Sequence, residues 1–239
     1  MSPKFITACQ SEVGLRRKIN EDNYLDRTAD GFWVVADGMG GHEAGEVASA
    51  MIVEATRDLP VSADSGQTAE AAMAAIHEVQ RRLVDLAREG ATPRTIGTTV
   101  VGLVIAGGEF RCFWVGDSRI LLVRNGAIQQ LTRDHSLVQD LIDAELLDPA
   151  DAESHPDANV ITRAVGADKE LVIDCVSGRT QPGDLFLLAS DGVTKVLHPE
   201  EICEHLTSRN PRQATATMAK VILDRGAPDN FTSIIVRVL

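Results

Sequence analysis

The chain combines short apolar runs with longer stretches in which apolar residues recur every three or four positions. The short runs are rich in β-branched and aromatic residues, which is typical of strands. They are FITAC, FWVVAD, TTVVGLVIAG, FRCFWVG, RILLVRNG, LVIDCVSG, DLFLLAS and TSIIVRVL. The turn pairs Gly107-Gly108 and Asn125-Gly126 indicate β-hairpins among them. The pattern therefore predicts several antiparallel strands that follow one another along the chain.

Helical spacing marks three longer stretches, at about 44–58, at about 67–89, and from Pro211 to about Arg225. These helices are grouped and do not alternate with the strands, which argues against a doubly wound parallel sheet. We therefore predict an α+β fold in which helices cover mostly antiparallel sheets. The acidic stretch at 140–157 has the least regular pattern and is predicted to form a mobile flap.

The composition excludes several classes of protein. The 239 residues carry a net charge of -12, and the binding of nucleic acid requires clustered Lys and Arg instead. The four cysteines lie far apart without a CxxC pair, so a zinc site or a disulfide framework is not expected. No signal peptide opens the chain and no apolar run has the length of a membrane span. We predict a cytoplasmic monomer that binds no nucleic acid.

The glycine-rich stretch VVADGMGGHEAGEVAS follows one of the predicted strands, but it matches neither common phosphate-binding loop. A dinucleotide fingerprint would require glycine at Glu43, after Gly38 and Gly40. Read as a P-loop from Gly40, the stretch has Glu46 where the lysine should be. Because Asp37 would repel a bare phosphate, a phosphate could bind here only with a cation between them.

Aspartates end other apolar runs in the same way as Asp37. Asp117 lies in FWVGDS, Asp191 in FLLASDG and Asp229 just before the last predicted strand. A lone aspartate beside glycine is usually a turn residue, but four such sites are less easily explained as independent turns. NED adds a glutamate and an aspartate near the start of the chain. Carboxylates that converge at one sheet edge, leaving open positions, are suited to Mg²⁺ or Mn²⁺.

Together these motifs make the chain resemble the metal-dependent protein phosphatases of type 2C, the PPM family, in their compact bacterial form. The resemblance rests on GLRRKINEDN, VVADGMGGHEAGEVAS, TIGTTVVGLVI, VGDSRILLVRNG, LTRDHS, HPDANVITRAVG, LFLLASDGV and DNFTSIIVRV, in the family's order. It implies a four-layer α-β-β-α sandwich. It also implies one domain over residues 1–239, with a flap at about 137–168.

The resemblance further implies two core Mn²⁺ or Mg²⁺ ions and a weaker third ion. The implied ligands are Asp37 for both core ions, Asp191 and Asp229 for the first, Glu21 and the Gly38 carbonyl for the second, and Asp117 with Asp191 for the third. Arg17 is the implied phosphate-binding arginine. A hydroxide between the core ions would attack phosphorus directly, without a phosphoenzyme.

The general acid departs from the pattern of the animal relatives, which carry histidine two residues after the shared aspartate. Met39 stands there, and His42 is the nearest substitute. A hydrogen-bonded His42 at a helix start and protonation of the leaving group by a metal-bound water remain alternatives to an acid role. Arg119 and Asp134 are expected to form a structural ion pair or to act as caps, and not to be catalytic.

The predicted activity is hydrolysis of phosphoserine and phosphothreonine in proteins, reversing a bacterial Ser/Thr kinase. Two alternatives remain: a catalytically weak module with the same fold that binds phosphoproteins, and a phosphohydrolase acting on other esters. The survival of Glu21, Asp37, Asp191 and Asp229 favours an enzyme, because buried acids are costly to maintain without a cation.

Overall fold

A computed structural model describes residues 5–40, 44–88, 96–167 and 170–239. The strands are β1 (Phe5–Glu12), β2 (Asp22–Arg27), β3 (Phe32–Met39), β4 (Gly97–Thr98), β5 (Val100–Ala106), β6 (Glu109–Val115), β7 (Arg119–Arg124), β8 (Ala127–Gln130), β9 (Asp174–Arg179), β10 (Leu185–Ala189) and β11 (Phe231–Val238). The helices are α1 (Ala44–Arg57), α2 (Ser65–Arg88), α3 (Leu137–Asp143), α4 (Asp191–Thr194), α5 (Pro199–Ser208) and α6 (Pro211–Asp224). Short 3₁₀ turns occur at Thr28–Asp30 and Pro149–Ser154.

The strands of the described residues form two sheets. One sheet has the order β1-β11-β10-β7-β8, and the other has the order β2-β3-β5-β6-β9 with β4 paired to β3. Every pairing is antiparallel. The last strand, β11, pairs with β1 on one side and β10 on the other, so both ends of the chain contribute to one sheet.

The central strands are apolar on both faces because each sheet is covered on both sides. In β3, Phe32 and Val34 pack under α1 and α2, whereas Trp33 and Val35 pack against the other sheet. In β10, successive residues alternate in the same way between the helices α5 and α6 and the space between the sheets. Alternation along a strand places neighbouring side chains on opposite faces. The predicted α-β-β-α sandwich is therefore confirmed.

The predicted helices agree with α1, α2 and α6 within a few residues, and each predicted apolar run contains a strand. Two strands, β2 and β8, and two longer helices, α3 and α5, were not predicted. We call residues 137–167 the flap segment. It contains α3 and the 3₁₀ turn at Pro149–Ser154, so it is more regular than predicted. No helix in the described part of the chain is long and apolar enough to cross a membrane.

Candidate functional site

The predicted ligands converge on one cavity of about 460 Å³ at the edge where the two sheets end. The connection from β1 to β2 supplies Arg17 and Glu21, β3 supplies Asp37 and Gly38, and the β6–β7 turn supplies Asp117. Asp191 is the first residue of α4, and Asp229 lies just before β11. His42 and Glu43 lie outside the described residues. The cavity thus collects every predicted site residue that the structure describes.

Asp37 has several other acidic side chains close to it. Its pKa is raised well above the usual value, first because the side chain is buried and then because four other aspartates lie near it. Those neighbours are Asp22, Asp191, Asp117 and Asp229. A group of acids that resists ionisation in the absence of further positive charge is the expected electrostatic signature of a cation site.

Within the described part of the chain, two buried carboxylate oxygens have no hydrogen-bond partner, although Oδ2 of each residue interacts with a neighbouring side chain. Oδ1 of Asp22 and Oδ1 of Asp117 are both in this condition. Burial raises the pKa of Asp22 to about 7 and that of Asp117 to about 6. Unpartnered buried polar atoms are uncommon in folded proteins and call for an explanation. These oxygens and the surrounding acids provide the all-oxygen donor set that Mg²⁺ and Mn²⁺ prefer.

Two cationic side chains neutralise part of this acidic field. Arg17 donates a hydrogen bond from Nη2 to Oδ2 of Asp229 at 2.6 Å. Lys195 donates from Nζ to Oδ2 of Asp191 at 2.6 Å and lies 3.7 Å from Oδ2 of Asp117. Across the described residues, no group of three His, Cys, Asp or Glu side chains is arranged to hold a metal ion. The oxygen donors fit a divalent ion, but such an ion has to compete with the cationic side chains of Arg17 and Lys195 for the carboxylates.

Asn230 positions the loop that carries Arg17 and Glu21, and this role was missed in the sequence. Its Nδ2 donates to the carbonyls of Val13 at 2.8 Å and Ile19 at 3.0 Å, and its Oδ1 accepts from the Glu21 backbone N–H at 2.9 Å. One buried amide therefore ties the loop to the start of β11. The signal available in the sequence was an amide directly after Asp229.

Ser190 links the two sheets beneath the carboxylates and was likewise not predicted. Its hydroxyl donates to Oδ2 of Asp22 at 2.8 Å and accepts from the Thr232 backbone N–H at 2.9 Å. Asp22 stands opposite Asp37 in the β2–β3 register. Ser190 therefore fixes the orientation of the carboxylate beside Asp37.

The glycines of the VVADGMGG stretch allow α1 to approach the end of β3. A Cβ atom on Gly38 would collide with the carbonyl oxygen of Gly45 in the first turn of α1. A Cβ on Gly45 would lie 2.7 Å from the carbonyl carbon of Gly38. Glycine at both positions therefore permits the backbone contact that brings β3, α1 and Glu21 together.

Arg119 and Asp134 form an ion pair beside the site, which is the first of the two structural roles predicted for them. Asp134 accepts two hydrogen bonds from Nε and one from Nη2 of Arg119, at 2.7–3.1 Å. Buried His135 follows Asp134, and its Nδ1 accepts from the Gly116 backbone N–H at 3.1 Å. The segment before the flap is therefore fixed to the turn that carries Asp117.

Comparison with known proteins identifies the family. The model of the protein phosphatase 2C family matches residues 16–225. Protein phosphatase PhpP of Streptococcus pneumoniae is 35% identical over 231 residues, which is 93% of each protein. The structure of PppA, a key regulatory component of T6SS in Pseudomonas aeruginosa, has a TM-score of 0.90 and 37% identity over the whole of both chains.

A further solved structure contains metal. The catalytic domain of the serine/threonine protein phosphatase PstP, in complex with two manganese ions, has a TM-score of 0.87 and 30% identity, again over the whole of both chains. The family model covers most of the chain, and the structural similarity extends over all of it. The chain therefore belongs to the protein phosphatase 2C family, which confirms the family and the class of enzyme predicted from its motifs.

Proposed function

We propose that the protein hydrolyses phosphoserine and phosphothreonine esters in other proteins, with divalent cations held in the acidic cavity. The observation that supports this most strongly is the set of aspartates around Asp37, two of which, Asp22 and Asp117, are buried with an oxygen that has no partner. Such acids are costly to bury unless a cation binds them. The serine/threonine phosphatase PstP, which is known with two manganese ions, supports Mn²⁺ as the cation to test first.

We propose the following ligands for two core Mn²⁺ or Mg²⁺ ions: Asp37 for both, Asp191 and Asp229 for one, and Glu21 with the Gly38 carbonyl for the other. Asp117 and Asp191 are proposed for a third, weaker ion. When bound, the core ions would supply Lewis acidity and lower the pKa of the water between them, so that water becomes the nucleophile near neutral pH.

Arg17 is proposed to orient the phosphate group. Its guanidinium already lies at the rim of the cavity, where it forms the ion pair with Asp229. A planar guanidinium can donate to two phosphate oxygens at once, which sets the direction from which water attacks. The new bond joins the water oxygen to phosphorus, and the bond from phosphorus to the serine or threonine oxygen breaks.

The departing oxygen needs a proton, and His42 and water are the two proposed donors. His42 lies outside the described residues. The pH–rate profile of His42→Ala distinguishes the two donors, because loss of a histidine acid would remove the limb that its titration produces. An unchanged profile assigns the proton to water.

The flap segment is proposed to help select substrates. Asn159 and Ile161 from this segment line the cavity together with the acidic residues. The phosphate esters themselves would come from a protein Ser/Thr kinase, since that class of enzyme makes the bond that is cut here. We therefore propose that the protein opposes such a kinase.

The test is hydrolysis of a phosphothreonine peptide by the chelator-stripped protein, with and without added Mn²⁺, beside an Asp37→Asn variant. We expect turnover that requires Mn²⁺ and is lost in the variant. Binding of Mn²⁺ and of the phosphopeptide without turnover would instead indicate the phosphoprotein-binding module. Turnover that is the same without Mn²⁺ would contradict the proposed mechanism.

A further inference from the structure

Lys195 links the acidic cavity to the flap segment. It directly follows α4, and its Nζ is 2.6 Å from Asp191, 3.7 Å from Asp117 and 2.8 Å from Oδ1 of Asn159. Its side chain is only 35% exposed. The ammonium group thus faces two carboxylates on one side and the amide oxygen of Asn159 on the other.

The same residues separate two cavities. Lys195, Asp117, Asp191 and Asn159 line both the acidic cavity and a neighbouring cavity of about 300 Å³ under the flap segment. The 3₁₀ turn of the flap segment contributes to the second cavity through Ala152. Lys195 therefore contacts both the carboxylates and the flap segment, so binding of a cation by the carboxylates can change how the flap segment is held.

We propose that Lys195 is a positioning residue whose ammonium group takes the place of a third divalent ion between Asp117 and Asp191 while it holds the flap segment through Asn159. The proposal rests on the proposed function, because it assumes that the core carboxylates bind divalent ions. According to this proposal, the chain itself supplies the cation that neutralises Asp117 and Asp191.

Competition follows from the geometry. Lys195 already contacts Oδ2 of both Asp117 and Asp191, so a divalent ion held by this pair of carboxylates would lie close to the ammonium group. Two cations within about 4 Å repel each other strongly at a partly buried site. Binding of the ion displaces Lys195, and Asn159 then loses its donor. By linkage, attachment of the flap weakens binding of the ion by the same factor as the ion weakens attachment of the flap.

The first test is calorimetric titration of the chelator-stripped full chain with Mn²⁺, comparing wild type with Lys195→Met. Methionine keeps most of the apolar stem and removes the charge. Lys220→Met is the matched control, because Lys220 is exposed on α6 and the change in net charge is the same. We expect the weakest Mn²⁺ site to tighten by about tenfold or more in Lys195→Met. The control should match wild type.

The second readout is hydrogen exchange of the flap amides at low and high Mn²⁺. In wild type we expect exchange to speed up as the weakest site fills. In Lys195→Met exchange should already be fast and should not respond to that step. Asn159→Ala should also speed exchange, because it removes the contact with the flap and leaves every carboxylate and the ammonium group in place.

The outcomes are separable from those of the proposed function. Equal Mn²⁺ affinities in wild type and Lys195→Met, or flap exchange in wild type that does not depend on Mn²⁺, would overturn the role of Lys195 while leaving hydrolysis by the core site intact. Equal tightening in Lys220→Met would reduce the effect to net charge and would also overturn it. Absence of any Mn²⁺ binding in wild type would overturn both proposals.

Discussion

Strand β10 has an acidic site at each end, and the two sites differ in how completely their carboxylates are paired. At the start, Asp184 is 1% exposed and accepts hydrogen bonds from Nε and Nη2 of Arg124, both at 2.7 Å. The Gln181 backbone N–H donates to it as well, at 2.8 Å. At the other end lies the cavity around Asp191, where buried oxygens of Asp22 and Asp117 have no partner.

The difference separates a structural carboxylate from a functional one. Asp184 has its charge matched by one arginine and its oxygens filled, so it needs nothing from outside the chain. Burial and neighbouring carboxylates raise the pKa values of Asp37, Asp22 and Asp117. The cationic side chains of Arg17 and Lys195 do not fill all the acidic oxygens of the site. Burial alone does not distinguish the two sites; the degree to which hydrogen bonds are satisfied does.

The largest expected effect is that of Asp37→Asn, which should affect function and leave the fold intact. Without a shared carboxylate we expect activity to fall at least about 1000-fold. Mn²⁺ should raise the thermal midpoint of wild type but not that of the variant, because only a ligand that binds the native state stabilises it. Activity assays and thermal melts with and without Mn²⁺ check both expectations.

A variant that bound Mn²⁺ as wild type does would remove Asp37 from the ligand set. It would also mean that the two ends of β10 do not differ in whether their carboxylates bind a metal ion. Asp184→Asn serves as the control in the same melts, since it should retain the shift caused by Mn²⁺.

Asp184→Asn itself should act on stability. It removes the buried carboxylate that accepts two hydrogen bonds from the half-buried Arg124, and we expect the free energy of unfolding to fall by about 2 kcal/mol. Urea unfolding measures this loss. At a temperature where the variant is folded, its activity should equal that of wild type. A specific loss of activity would show that the paired end of the strand also serves the reaction.

Asp22→Asn should change how the stability of the metal-free protein depends on pH. The pKa of Asp22 is about 7 in the folded chain, against an ordinary value near 4. Between these values the folded state binds more protons than the unfolded state, so stability falls as pH rises. We expect wild type to lose roughly 2 kcal/mol more than Asp22→Asn between pH 5 and pH 7.

Urea unfolding in the presence of a chelator at both pH values measures this difference. Parallel losses in the two proteins would mean that Asp22 is as well accommodated as a paired carboxylate. Asp22 would then not belong to the group of acids around Asp37 whose ionisation is unfavourable in the metal-free protein.

Arg17→Lys is expected to have the smallest of these effects. Lysine keeps the charge near Asp229 but cannot donate to two phosphate oxygens in one plane, so we expect kcat/KM to fall about tenfold. Steady-state kinetics on a phosphothreonine peptide measure it, with Arg16→Lys as the neighbouring control. Equal kinetics for both variants would assign Arg17 to charge balance alone.

The pattern predicted an α+β fold of antiparallel sheets, and the resemblance to the family implied the four layers. The central strands gave clear signals because they are apolar on both faces. FWVVAD and DLFLLAS pack between a sheet and a helical layer, so neither run can be mistaken for a surface element. The missed strand β2 reads DNYLDR and mixes acids with apolar residues, because it starts at the acidic cavity and lies at the edge of its sheet. The missed helix α5 begins PEEICEHL, with only Ile202 and Leu206 buried.

The candidate aspartates Asp37, Asp117, Asp191 and Asp229 were predictable because each follows or precedes a strong strand signal. The contacts that hold them were not, because they join residues far apart in the chain. Asn230 bonds to residues more than 200 positions earlier, and Lys195 reaches Asp117 and Asn159 only after the sheets have assembled. Partners of this kind are determined by tertiary packing, so the local hydropathy and motif patterns of the sequence do not predict them.

The way the flap segment joins the rest of the protein has a consequence for engineering. The Ser136–Ile161 bridge, the Leu137 N–H bonded to the Val160 carbonyl and the Thr162 N–H bonded to the His135 carbonyl close the segment at its base. Residues 138–159 therefore begin and end side by side at these contacts. Insertions and exchanges are tolerated best where the ends of a surface segment are adjacent. These residues can therefore be exchanged for those of a relative with the rest of the protein unchanged, and the exchange would test the proposed role of the flap segment in substrate selection.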